Sequence, residues 1–367
     1  IIVNKEILEI IKYFESVEPN VTKTVLVTVV DVQGSSYRLP GARMLVGERG
    51  EMLGTVSGGC LETDVLERAS RVLQTGAAEV FTYDTTAQED SVFSLNMGCR
   101  GVIRILLERP APDFIDFCRR IYQTRRRGLA ATLIGSKTES ERVGARLILD
   151  EDNLIKSDFS EETTENLLAD CAAVLGEKKS RLLENDFGEF FLEFIPAPVS
   201  LVIFGAGADA IPVLDAAKNL GWRVSVVDHR AAFANRERFA AADEIILTRS
   251  ENLAGKLTID ENTVAVVMSH NYEHDKNTLN FLLNSDARYI GALGPKRRTE
   301  NILHEWRAEG ADFSDKQLEK LYAPIGLDIG ADTPESIALS IIAEIKSVLT
   351  DRSGGFLRRR NGSIYNR

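Results

Sequence analysis

Long apolar runs are missing from this chain of 367 residues. No stretch approaches the about 20 apolar residues that a membrane helix needs, so no membrane partner is expected. Basic charge is in deficit, with 44 Lys and Arg against 55 Asp and Glu and a net charge of −11. Nucleic acid is therefore not an expected partner, because no basic face offsets that charge. The basic segment RSGGFLRRRNGSIYNR reads as a flexible tail over 351–367. Cysteine is scarce, at four residues. The opening IIVNKEILEIIKYFESV reads as an amphipathic helix with charges rather than a signal peptide. A cytoplasmic location is the expectation, and a disulfide framework is not.

Two of the four cysteines stand in unusual places. Cys60 stands in Gly54–Glu62, GTVSGGCLE, and Cys99 sits in the turn MGCRG at 97–101. After Cys60 come Leu61, Val65, Leu66, Ala69, Val72 and Leu73, one face of a helix over 61–74, with Gly76 as its stop. Cys60 is then expected at a helix N-terminus, beside free N–H groups, where a thiol ionises more readily and a thiolate serves as nucleophile or soft metal ligand. Gly58 and Gly59 leave room for close approach of a ligand to the backbone. Cys118 and Cys171, inside helical patterns, read as small buried hydrophobes.

The chain divides near Pro196–Pro198. Beyond it, Val199–Phe204 reads as a buried strand, Gly205-Ala206-Gly207-Ala208-Asp209-Ala210 as a GxGxxA turn, and Ile211–Leu220 as a helix. Trp222–Val227 follows as a strand ending in Asp228. Strand, turn, helix, strand and acid form the dinucleotide fingerprint in its proper context, with Gly205, Gly207 and Asp228 as its contacts. Further strands are expected at 244–248, 263–268 and 287–292, and a last helix over Pro334–Leu349 with Thr333 as N-cap. The expected fold is α/β: an N-terminal mixed α/β domain over 1–196, then a Rossmann-type doubly wound parallel sheet over 197–350.

The first domain carries a duplication. Gly41-Ala42-Arg43-Met44-Leu45-Val46 recurs as Gly144-Ala145-Arg146-Leu147-Ile148-Leu149, and each copy closes on Pro-Ala-Pro. The copies run over about 25–112 and 130–198. SGGCLE in the first is replaced by FSEETT in the second, so the glycine–cysteine chemistry belongs to copy one.

These motifs resemble the xanthine dehydrogenase accessory factors, the XdhC/CoxI family. The matching segments are GSSYRLPGARMLV (34–46), GTVSGGCLE, the MGCRG turn, YIGALGPKRR (289–298) and PIGLDIGADTPESIALSIIAEI (324–345). The resemblance implies a chaperone that binds the molybdenum cofactor, supports its sulfuration by a cysteine desulfurase and delivers it to an apo xanthine dehydrogenase-type molybdoenzyme. It implies no catalytic residue. Cys60 and Cys99 would meet the metal, and Arg38 and Arg43 the phosphate, unless those arginines pair with carboxylates. Lys296 and Arg297 would bind an anion at the sheet edge, or else be an ordinary helix start; Arg298 shares that cluster. His270 and His274 have i, i+4 spacing, which suits a metal only if both are helical, and loop contacts are the other reading. The chain departs from the family at Arg100, where a glycine is usual, and at Asp209, where a histidine is usual. An acid at 209 disfavours a pyrophosphate. The alternative is an NAD(P)-dependent oxidoreductase on the Rossmann half, and a homodimer is left open.

Overall fold

The computed structural model describes residues 3–16, 23–34, 36–59, 61–84, 101–151, 154–361 and 364. The chain divides into two units, Ile1–Pro198 and Val199–Arg367. Cys60 and Cys99 lie outside the described residues, as do Asn96–Gly98 and Arg100.

In the first unit one element order occurs twice. α1 (Val3–Ser16), β1 (Thr24–Gly34), β2 (Arg43–Gly47), β3 (Met52–Gly54), α2 (Glu62–Thr75), β4 (Glu79–Asp84) and β5 (Gly101–Glu108) come first. α3 (Pro112–Thr124), β6 (Gly128–Ser136), β7 (Arg146–Asp150), β8 (Leu154–Ser157), α4 (Glu161–Glu177), β9 (Arg181–Glu184) and β10 (Gly188–Ile195) repeat it. The strand orders are β3-β2-β1-β5-β4 and β8-β7-β6-β10-β9, antiparallel throughout.

The registers agree as well. Arg43 stands opposite Thr28, and Arg146 opposite Thr132. Thr28 in turn faces Leu106, and Thr132 faces Phe191. The β1–β5 ladder and the β6–β10 ladder each slip once, leaving Val30 and Ile134, each two residues past its threonine, without a partner. Val30, Leu106, Ile134 and Phe191 pack together in one buried cluster. Each sheet also buries its own helix, α2 through Val65, Ala69 and Val72, and α4 through Leu167, Cys171 and Val174. Those positions recur at three and four residues, one face of a helix.

The repeat is longer than the sequence motifs indicate, because each copy opens with a helix. α3 has a readable start, Pro112 in its first turn and a buried stripe of Phe114, Ile115, Phe117, Cys118 and Ile121. α4 begins at Glu161 because the Ser160 hydroxyl accepts the Thr163 N–H. α2 begins at Glu62, with Leu61 in the capping position and Gly76 ending it at φ +72°.

The second unit holds β11 (Ser200–Phe204), α5 (Ala210–Asn219), β12 (Arg223–Asp228), β13 (Glu244–Leu247), β14 (Thr263–Val267), α6 (Tyr272–Leu283) and β15 (Tyr289–Ala292). α7 (Lys296–Ala308), α8 (Asp315–Leu318), β16 (Leu321–Tyr322) and α9 (Pro334–Leu349) complete it. The six strands run parallel in the order β13-β12-β11-β14-β15-β16, that is 3-2-1-4-5-6, the Rossmann order. β11 and β14 are apolar and buried along most of their length, as strands covered on both faces must be. α5 and α9 share one buried cluster with the sheet, and α6 and α7 the other. α9 starts in a capping box, Thr333 with Ser336, and has Pro334 in its first turn. The order of strands reverses between β11 and β14, the switch point where ligands of such sheets bind.

Candidate functional site

The first-copy glycine loop is cinched by one carboxylate. Glu62 accepts the Thr55 hydroxyl at 2.9 Å, the Ser57 hydroxyl, and the Leu61 N–H at 3.2 Å. The Ser57 oxygen also accepts the N–H groups of Gly59 and Leu61, at 3.1 and 3.2 Å. Burial alone would raise Glu62, but the Ser57 and Thr55 hydroxyls and the nearby N–H groups outweigh it and hold the carboxyl below its usual range. The N–H groups flanking position 60 are therefore engaged. The N–H groups of the first helical turn itself receive no side-chain cap.

The turn itself stays open. Gly59 sits at φ +104°, and a side-chain carbon added to it would meet nothing within 4 Å among the described residues, so what favours glycine there is its backbone conformation. Beside Gly58 stands the ring of Tyr37, which is 61% exposed and would lie 4.0 Å from a carbon added at Gly58. The GSSYR turn and the SGG turn thus share one exposed corner of the first unit.

Arg38 and Arg43 are not presented to a ligand. Arg38 pairs with Glu6 of α1. Arg43 is buried and bonds Glu193 through both terminal nitrogens, with the Gly41 carbonyl at 2.9 Å from one of them. The carboxylate pairing that the sequence left open is the one found, and the phosphate role is corrected for both. The second copy reciprocates: Arg146 bonds Glu108. Phe114 lies under both guanidiniums, 5.2 Å from Arg43 and 4.7 Å from Arg146. Glu108 and Glu193 escaped the sequence reading because the Pro-Ala-Pro ends misalign them by one residue. Strand register places them alike, opposite Leu26 and Ala130.

In the second unit Gly205, at φ +120°, lets β11 turn against β14, since a side chain there would meet the Met268 carbonyl oxygen at 2.5 Å. The space over Gly207 is taken by the Asp209 carboxylate. Asp209 reaches His270 Nε2 at 2.8 Å, a pair that links the loops after β11 and β14 across the switch point. His270 holds a left-handed backbone, φ +58°. His274 lies in the first turn of α6 and bonds Ser250 Oγ through Nδ1 at 2.9 Å. The two histidines share no helix face: His270 precedes α6 and bonds Asp209, while His274 lies within it and bonds Ser250. Among the described residues no group of three or more His, Cys, Asp or Glu is placed to hold a metal.

Asp228 ends β12, where the fingerprint puts it, but its carboxylate is full. It accepts Ala206 N–H at 2.9 Å, Arg230 N–H at 2.9 Å, Arg230 Nε at 3.0 Å and Arg230 Nη2 at 2.7 Å. A carboxylate offers about four acceptor positions. Burial opposes ionisation here, yet the Arg230 guanidinium and the two N–H donors prevail and hold Asp228 down to about 2. Lys296 and Arg297 are exposed at the start of α7, with Lys296 only 3.9 Å from Glu300. Arg298 turns inward and bonds buried Asp275 at 2.5 Å, which supports the loop that carries His270. Cys118 and Cys171 are buried, and burial pushes each thiol up to about 12. Among the described residues no helix is long and apolar enough to cross a membrane.

Residues 201–345 match the XdhC Rossmann domain, and residues 20–84 match the XdhC and CoxI family. The chain is 31% identical over 323 residues to a Bacillus subtilis (strain 168) protein named as a probable xanthine dehydrogenase subunit, covering 88% of this chain and 92% of that one. It is 24% identical over 326 residues to the molybdenum cofactor insertion chaperone PaoD of Escherichia coli (strain K12), covering 88% of this chain and 83% of the other. A Bacillus halodurans protein described as a xanthine dehydrogenase, solved at 2.80 Å, superposes with a TM-score of 0.75 at 30% identity, over 94% of this chain and 96% of that one.

Proposed function

The chain belongs to the XdhC and CoxI family, and from that premise we propose that it is an accessory protein of a xanthine dehydrogenase-type molybdoenzyme. Its cargo is the molybdenum cofactor, which it holds during sulfuration by a cysteine desulfurase and passes to the apo-enzyme. The supporting relative is PaoD, whose name is that of a cofactor insertion chaperone. The structural observation that carries the reading is the exposed Gly58–Gly59 turn, held by Ser57 and Glu62 with Tyr37 beside it.

The described residues fit part of what the cargo requires. A bulky pterin has room at Gly59, and an aromatic face stands next to Gly58. Cations are not supplied by Arg38 or Arg43, which are spent on Glu6 and Glu193. Lys296 and Arg297, on the second unit, are exposed charges open to an anion there. Cys60 and Cys99 are proposed as the soft ligands of the metal. A nicotinamide oxidoreductase gains no support from Asp228, whose acceptor positions are filled within the protein.

The test is molybdenum per protein, purified from cells that make the cofactor, for wild type, Cys60→Ala and Cys99→Ala. Retention should fall in both variants, and activation of the apo-dehydrogenase with it. Equal occupancy in all three removes the thiols from the site.

A further inference from the structure

At the carboxyl edge of the second unit lies a cavity of about 210 Å³ that the Asp209–His270 pair does not fill. Phe204, Val227 and Leu253 give it apolar walls, and His229, His274 and Thr278 give it polar ones. Pockets for drug-sized ligands run to roughly 300–1,000 Å³, so this space suits one ring system and not a dinucleotide.

Three features define what would enter. His229 and His274 form a tilted aromatic pair, centroids 4.6 Å apart at 41°, and His274 is fixed by its bond to Ser250. Aromatic side chains beside apolar walls accept a planar heterocycle by stacking. Thr278 is 4% exposed and lines the cavity, and its hydroxyl, which has no hydrogen-bond partner among the described residues, is not among the atoms sealed from solvent. A ring nitrogen or carbonyl entering the cavity would take the place of water at that hydroxyl. Third, the groups that hold a dinucleotide are withdrawn. Asp228 has no acceptor position left for a ribose diol, and the Asp209 carboxylate lies over Gly207, where a pyrophosphate would pass.

We propose that this cavity binds a planar nitrogen heterocycle of pterin or purine size through its ring alone, without recognition of a ribose or a pyrophosphate. If the ring is a pterin, the inference deepens the proposed function by giving the second unit a hold on the cargo's organic part, and rests on it; if it is a purine, the site is separate from cargo binding.

The experiment uses the full chain purified free of cofactor, titrated with pterin-6-carboxylate by fluorescence and with guanosine 5′-monophosphate and NAD by calorimetry. At least one of the first two should bind, and NAD no tighter than that one. Thr278→Val should weaken binding about 3- to 10-fold through the lost hydrogen bond. Ser250→Phe, which fills the mouth and frees His274, should abolish it, with circular dichroism reporting the fold; if that variant does not fold, Thr278→Val decides. Pterin binding tighter than nucleotide supports the cargo source, and the reverse supports the nucleobase source. No binding of either at millimolar ligand, wild-type affinity in Thr278→Val, or NAD at least tenfold tighter than both overturns the proposal. Molybdenum content of the cysteine variants is read independently, so the two proposals fail separately.

Discussion

Arg43 of the first repeat bonds Glu193 of the second, and Arg146 of the second bonds Glu108 of the first. Each copy therefore completes a buried charge that the other would leave exposed to an apolar interior. Arg43 and Glu193 are each 3% exposed at the side chain, so neither charge has water to fall back on. Burial by itself would lower Arg43, but the Glu193 carboxylate overrides it and raises the guanidinium above its ordinary range. Removing one partner of such a pair costs about 3–5 kcal/mol, whereas replacing both with apolar residues costs much less. Glu193→Ala should thus be severely destabilising, and Arg43→Met with Glu193→Leu should recover most of the loss. Urea unfolding of Arg43→Met, Glu193→Leu and the double variant measures this. Additive losses would mean that the pair does not act as a unit.

The pH dependence of the second unit should carry the mark of Asp228. Its carboxyl lies at about 2 in the folded protein, below the about 3.9 of an unfolded chain. A depressed carboxylate contributes stability that is full above the unfolded value and is lost as pH falls from about 4 toward 2. For two pH units of depression the contribution is about 2–3 kcal/mol. Asp228→Asn should flatten that part of the acid limb in thermal melts followed from pH 5 to pH 2. An unchanged slope would show that the Arg230 pair is not formed in solution.

The glycine loop offers a milder test. Glu62→Ala removes the acceptor of Thr55, Ser57 and Leu61 in a partly exposed loop. Global stability should drop by only about 1 kcal/mol, since the apolar face of α2 stays buried. The Gly59 and Leu61 amides should exchange with solvent many times faster. Molybdenum retention should fall with them, because the turn loses its fixed shape. Hydrogen exchange at those amides, read beside cofactor content, separates a loosened loop from a lost fold.

The fold was legible where local signals are strong. The GxGxxA turn, the strand before it and Asp228 after it follow from spacing, and so do the limits of α9, because its capping residue and first-turn proline lie in the sequence. The first-unit sheets were harder to read. Their repeat is carried by strand register and by α1 and α3, which share little sequence, and only the GAR strands keep a visible likeness. Site residues were least legible where charges choose partners. Arg43 lies 150 positions from Glu193, and no local pattern tells a phosphate-binding arginine from one that bridges two sheets. Glu62 was visible as a letter of GTVSGGCLE but not as the group that fastens it, because its partners depend on how the turn folds back.

The two glycines of the Rossmann turn should respond differently to a methyl group. At Gly205 the added carbon would meet backbone, the Met268 carbonyl oxygen at 2.5 Å and the Ser269 Cα at 2.8 Å, at φ +120°. Neither β11 nor β14 can retreat without breaking their shared ladder. Strain of about 1–3 kcal/mol and overpacking of similar size both apply, so Gly205→Ala should cost roughly 3 kcal/mol or more. At Gly207 the obstacle is the end of the Asp209 side chain, which can swing away. Gly207→Ala should cost under about 1.5 kcal/mol and act chiefly by parting Asp209 from His270. Asp209→Ala combined with Gly207→Ala should then cost no more than Asp209→Ala alone. Thermal melts of the four variants decide. Equal penalties at 205 and 207 would mean that Gly207 is constrained by its backbone, and that the carboxylate above it is a consequence of the turn and not its occupant.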